Sequence, residues 1–291
     1  MLDMSHYERL VHRNFKNLTK NQKKIAQYLL DHPDEFAFST IESLAERLGV
    51  GKSTIVRLAQ TLGYEGFLEL RRELSAKLKN DLSLAKRLRE SLKAASSGLD
   101  FVSSICNDEI NNIQTTMQYF DRDSFNKAVK IFISAPTIYT MGMGISYYVS
   151  EIAAYYLNRI TMRARALTHG GLSPEEQVIS MKKDDAVLAI SLPPYAYPII
   201  EAAEAAQHRG VKIVSITDKP SSPIAQHSDV VFTAKTDNVV FLNTVTSVLT
   251  IVYILVAGVG LSDRTTSLTA LSMFERVESD YGTDIHADFF E

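Results

Sequence analysis

The chain has 291 residues, 45% of them hydrophobic, a single cysteine (Cys106) and a net charge of −3. That length and apolar content permit two domains with buried cores, while one cysteine excludes an internal disulfide and fits a reducing cytoplasm. Residues 1–97 hold 17 Lys and Arg against 12 Asp and Glu, and residues 98–291 hold 14 against 22; the front suits phosphate contacts, whereas the remainder would be repelled by DNA.

Charged or polar residues interrupt Met1–Lys20 throughout, so it lacks the apolar core of a secretory signal, and a cytoplasmic location is expected. Leu2–Asn17 reads as a charged amphipathic helix. Thr19 caps a second, with Ile25, Tyr28 and Leu29 on one face, and His32-Pro33 ends it.

Ser39 to Phe67 organises the first domain, set at residues 1–80. Ile41, Leu44, Ala45 and Leu48 fall at i, i+3, i+4 and i+7, and Ile55, Leu58, Ala59 and Leu62 repeat that comb. Gly49-Val50-Gly51 between them suits a tight turn with Val50 plugging the corner. The pattern predicts a helix-turn-helix, with Ser39 and Glu42 as a capping box at its start and Gly63 as its stop. On the second helix the comb leaves Ser53, Val56, Arg57 and Gln60 facing outward, flanked by Lys52 and Thr54, and Tyr64 follows in the next turn. Arg can fork onto guanine, Gln can pair with adenine, and Val methyls can touch thymine, so these seven residues are the candidates for contact with double-stranded DNA. Gly51-Lys52-Ser53 resembles the end of a phosphate-binding loop, but the glycine needed five residues earlier is Glu46, and the preceding segment is periodic as a helix rather than a strand.

A basic helix from Leu68 to about Lys79 comes next, then a charged linker at residues 81–100 that loosens at Ala94-Ala95-Ser96-Ser97-Gly98. Phe101–Tyr119 and Ser124–Ser134 read as helices. From Thr137 the period changes: β-rich runs at Thr137–Met141, Ile160–Leu167, Ala186–Ser191, Val211–Thr217 and Asp229–Thr233 alternate with helical stretches Ile145–Asn158, Pro174–Lys182, Pro198–Arg209 and Val239–Ala257. That alternation predicts an α/β domain over 101–262, a doubly wound parallel sheet covered by helices. A last helix, Thr265–Glu278, and an acidic end fill 263–291. Val239–Ser262 carries no charge, but its Asn, Thr and Ser residues and the lack of a flanking basic cluster favour a buried helix over a membrane span.

Ligands of such sheets sit at the carboxyl ends of strands. Gly142-Met143-Gly144-Ile145-Ser146 offers backbone approach, a helix N-terminus and a hydroxyl for an anion. A dinucleotide fingerprint fails there, since its third glycine is Tyr147 and the next strand offers Arg163 and Arg165 instead of a carboxylate. At the second strand end, Ser191-Leu192-Pro193-Pro194-Tyr195, the prolines remove N–H donors, and Tyr195 and Tyr197 suit stacking on or hydrogen bonding to a ligand, or packing against another subunit. Glu151 and His169 are the nearby groups able to act as a base if the domain were an isomerase. No His/Cys/Asp/Glu cluster has metal spacing, no Ser/His/Asp set assembles, and neither a cofactor nor a catalytic residue is expected.

The order of parts resembles the RpiR-type bacterial transcriptional regulators, in which a helix-turn-helix domain precedes a sugar isomerase (SIS) domain. Leu18–Phe67 is similar to that family from end to end, TIYTMGMGIS to the first SIS strand and loop, and Gly210–Ala234 to later SIS strands. The resemblance implies a dimer or tetramer on palindromic operator DNA, controlled by a sugar phosphate, with no enzymatic turnover. By position it places the anion-facing loop at Gly142, Gly144 and Ser146 and the start of the second loop at Ser191, with Tyr195 within that loop. Pro193, Pro194 and Ala196 depart from the further Ser, Gly and Thr of sugar-phosphate binders, leaving open a different small metabolite or a domain that only dimerises.

Overall fold

Threonine hydroxyls start two of the front helices. The computed structural model describes residues 6–81, 88–89, 91–92, 100–168, 170–237 and 243–282. Helix α1 (His6–Asn14) runs into a short 3-10 turn, Phe15–Asn17. Helix α2 (Lys20–Asp31) opens on a full capping box, in which Thr19 Oγ1 accepts from the Gln22 N–H and Gln22 Oε1 accepts from the Thr19 N–H at 3.0 Å. His32 ends it as expected, but Pro33 does not lead into coil: it opens α3 (Pro33–Phe38), because proline's fixed φ and missing N–H suit a first helical position.

The expected cap at Ser39 is corrected by one residue. Ser39 is buried and its N–H closes the last turn of α3 on the Glu35 carbonyl, so Thr40 caps α4 (Ile41–Leu48), accepting from the Ser43 N–H at 3.2 Å. Gly49 ends α4 at φ 58°, and Gly63 follows α5 (Lys52–Thr61) at φ 101°, both in the left-handed region that glycine enters without steric cost. Helix α6 (Phe67–Asp81) completes this part. Leu44, Ala45 and Leu48 from α4 and the whole second comb, Ile55, Leu58, Ala59 and Leu62, are buried with Ile25, Leu29, Phe36, Leu70 and Leu74. Each such large side chain contributes about 1.5–3 kcal/mol relative to exposure.

The second compact unit comprises α7 (Phe101–Gln118), α8 (Arg122–Ser134), β1 (Ile138–Met141), α9 (Ile145–Thr161), β2 (Ala164–Ala166), α10 (Pro174–Val178), β3 (Ala186–Ile190), α11 (Tyr197–His208), β4 (Lys212–Thr217), β5 (Val230–Thr233), α12 (Thr246–Ser262) and α13 (Arg264–Gly282). All the strands pair in parallel, in the order β2-β1-β3-β4-β5. The fully buried β3 divides its side chains between two cores. Leu188 and Ile190 meet Phe132, Ala153, Leu157, Ile251 and Leu255 from α8, α9 and α12; Val187 and Ala189 meet Val178, Ile199, Ala202 and Ala203 from α10 and α11. A period of two therefore feeds helices on both faces.

Several expected elements differ in extent, the last helix running over Arg264–Gly282 rather than Thr265–Glu278. The strand expected over Ile160–Leu167 shrinks to Ala164–Ala166, because Ile160 and Thr161 prolong α9 until Met162 stops it at φ 58°. The helix from Pro174 stops at Val178, and the helix expected over Val239–Ala257 starts at Thr246, residues 238–242 lying outside the described part. Most of the expected linker, His169 and residues 283–291 of the acidic end also lie outside it.

Candidate nucleic-acid interface and effector site

Helix α5 is held by its apolar comb and presents the opposite face. Lys52, Ser53, Arg57 and Gln60 are exposed and Thr54 and Val56 half-buried, as a helix anchored on Ile55, Leu58, Ala59 and Leu62 requires. Tyr64 is the exception and is corrected: only 7% exposed, it sits among the packed side chains, so it cannot reach a groove. Burial and the carboxylates of Glu73 and Glu69 hold its phenol above the ordinary range. Gln60 spends part of its amide locally, Nε2 donating to the Glu65 carbonyl at a long 3.4 Å.

The turn before α5 is braced by groups that periodicity did not single out. Lys24 on α2 reaches across to donate to the Leu48 carbonyl at 2.6 Å, closing an orphan acceptor at the end of α4. Arg47, in the last turn of α4, bonds the Tyr28 hydroxyl at 2.9 Å and pairs with buried Glu35, while Tyr28 donates to the same carboxylate. This ties α2, α3 and α4 together. Burial and the Glu35 hydrogen bond push the Tyr28 phenol up to about 12. A lone tyrosine and a lone arginine nineteen positions apart gave no sequence signal for it.

At the other site, β1 and β3 are neighbours whose helices lie on opposite faces, so the crevice at their carboxyl ends is the switch point of the sheet. The first loop needs both its glycines. A Cβ on Gly142 would lie 2.3 Å from the Ser146 carbonyl oxygen, and Gly144 precedes α9 at φ 62°, ψ −130°, a conformation essentially confined to glycine. The start of α9 carries no side-chain cap, which leaves the positive end of a 17-residue helix at this strand end. Ser146 is buried in its first turn.

The second loop is built differently from what was expected. Tyr195 is turned into the protein: it is 3% exposed and its hydroxyl donates to Asp218 Oδ1 at 2.7 Å. Ser191 is buried, its N–H bonded to the Ile216 carbonyl and its own carbonyl accepting from Thr217 Oγ1 at 2.8 Å. Asn243, just before α12, donates to the Pro193 carbonyl at 3.5 Å. Polar groups here fasten the loop to β4 and to the approach to α12. Thr217 and Asp218, a polar pair directly after Ile216 at the carboxyl end of β4, were the available sign of that role. Among the described residues no group of His, Cys, Asp and Glu is arranged to hold a metal ion.

Residues 5–81 match the helix-turn-helix domain of the rpiR family, and residues 131–258 match the SIS domain. The chain belongs to the RpiR family. It is 25% identical over 218 residues, 75% of each chain, to an uncharacterized HTH-type transcriptional regulator of Haemophilus influenzae. Its fold is shared along 95% of its length with the Vibrio vulnificus NanR protein complexed with ManNAc-6P (98% of that chain, TM-score 0.65, 23% identity). The sugar isomerase domain of an RpiR transcription factor from Sphaerobacter thermophilus matches 61% of the chain and 99% of its own, at TM-score 0.59 and 24% identity. In this RpiR-family chain the helix-turn-helix match covers α4 and α5, and the SIS match runs through both strand-end loops.

Proposed function

We propose that this RpiR-family protein is a cytoplasmic transcriptional regulator that reads operator DNA through α5 and changes its DNA affinity when a phosphorylated sugar binds at the β1–β3 strand ends. The observation that carries the DNA half is the division of α5 into a buried comb and an outer face bearing Lys52, Ser53, Thr54, Val56, Arg57 and Gln60. Arg57 and Gln60 supply the donor sets for guanine and adenine edges, and Lys52, Ser53 and Thr54 sit at the helix start where phosphate is favoured.

For the effector, Gly142, Gly144, Ser146 and the uncapped start of α9 favour an anion, and the ManNAc-6P held by the similarly folded NanR makes a phosphorylated sugar the first ligand to test. Ser191 and the Pro-rich loop then bound the sugar end with few donors, which favours an effector with a less hydroxylated flank. The role is binding without turnover, and Glu151, exposed on α9, acts on no substrate.

A second copy of the chain completes the reading. Helix α9 exposes Ile145, Tyr148, Tyr155 and Tyr156 along one side, and Tyr156 meets exposed Tyr253 of α12 edge to face, with ring centroids 5.7 Å apart. Such an aromatic face suits burial against its own copy, and a dimer presents two α5 helices to two half-sites. The test is fluorescence anisotropy on fragments of the protein's own promoter region, with and without a panel of hexose and hexosamine phosphates. Specific binding relieved or strengthened by one of the panel supports the proposal; indifference to every duplex at low salt, or isomerisation of a sugar phosphate, sinks it.

A further inference from the structure

At the start of α5 the Lys52 ammonium is paired with the Glu42 carboxylate of α4, across the turn, and both side chains are more than half exposed. An exposed pair of this kind adds little to stability. It does, however, occupy the cation nearest the helix end where a DNA phosphate would sit, and Glu42 is kept ionised by that hydrogen bond, its carboxyl held below the ordinary range.

We propose that Glu42 restrains Lys52 and thereby lowers affinity for DNA of arbitrary sequence. Any phosphate must displace Glu42 to recruit Lys52. A random duplex offers only the charge attraction, which is the term that Glu42 already satisfies; a cognate duplex adds the base contacts of Arg57 and Gln60, which hold α5 against the groove long enough for the exchange. Glu42 is thus a specificity-determining residue that touches no base. The inference rests on the DNA-binding role of α5 and concerns one ion pair within it.

The experiment measures binding of the full-length protein to a random-sequence duplex at several salt concentrations. With Glu42→Gln, Lys52 neutralises one more phosphate, so the slope of log K against log salt steepens by about 0.9, and a fourfold rise in salt costs the variant about threefold more affinity than it costs the wild type. Glu42→Gln added to Lys52→Met should leave that single variant's slope where it was. An unchanged slope in Glu42→Gln, weaker binding, or an equal gain in the Lys52→Met background overturns the proposal, the last by showing plain repulsion from Glu42. Failure of the wild type itself to bind any duplex would instead refute the DNA-binding role. Thermal melts of all the variants confirm folding, and partners this exposed leave them near wild type.

Discussion

Arg57 shows how one residue separates two kinds of affinity. It is exposed on the outer face of α5. Arg57→Ala should therefore cost about 1–3 kcal/mol on the cognate site and much less on random DNA; paired anisotropy titrations check this, and equal losses would remove it from base reading. Gly142 is constrained instead by its neighbours. In Gly142→Ala the new carbon would meet the Ser146 carbonyl oxygen at 2.3 Å, backbone that cannot swing aside, so a loss of about 1–3 kcal/mol in stability is expected. Stabilisation by the effector should be lost with it, read by thermal shift. Tyr28 gives a pH signature. Its folded-state value of about 12 lies above the ordinary tyrosine value of 10.0, so the contribution is complete below pH 10 and disappears as pH rises from there through about 12. Tyr28→Phe should flatten that alkaline limb of the melting curve in the helical unit, because the hydroxyl shared by Glu35 and Arg47 is gone.

Helices α4 and α5 carried the clearest pattern in the chain. Two identical combs fourteen residues apart, a glycine-flanked turn and a glycine stop agree with one another, and all but half-buried Ile41 of the eight comb residues are buried. The errors fell where two local signals competed. Ser39 and Thr40 are both good caps, and only the packing of α3, unseen in the periodicity, assigned Ser39 to the end of one helix and Thr40 to the start of the next. Likewise the β-rich composition around Ile160 lost to the continuation of α9. Helix α12 makes a sharper demand at Gly258, where a Cβ would fall 2.5 Å from Phe125 Cζ and 2.8 Å from Val129 Cγ2 of α8. Gly258→Ala should cost about 1–3 kcal/mol by forcing the two helices apart, a melting-point drop measurable on the purified chain. Buried through Val248, Ile251, Val252, Leu255 and Val259, α12 is a core helix. Among the described residues no single helix is long and apolar enough to cross a membrane; α12 passes that test only together with α13, across a bend of 106°.

For the whole molecule the exposed tyrosines matter most. Replacing Tyr148 and Tyr155 with Arg should dissociate the proposed dimer in sedimentation experiments and weaken operator binding well beyond the effect on random DNA, because a single half-site offers half of the base contacts. Unchanged sedimentation would move the contact to another face. The sequence by itself determined the order of the two folds, the buried and outer sides of α5 and the glycine loop after β1, since each depends on periodicity or on backbone freedom local to a few residues. Only the tertiary structure decided that Tyr64 and Tyr195 turn inward, that Lys24 and Arg47 brace the turn, and that Glu42 answers Lys52. Those outcomes join residues from different elements, and a partner reached through space leaves no period in the chain to reveal it.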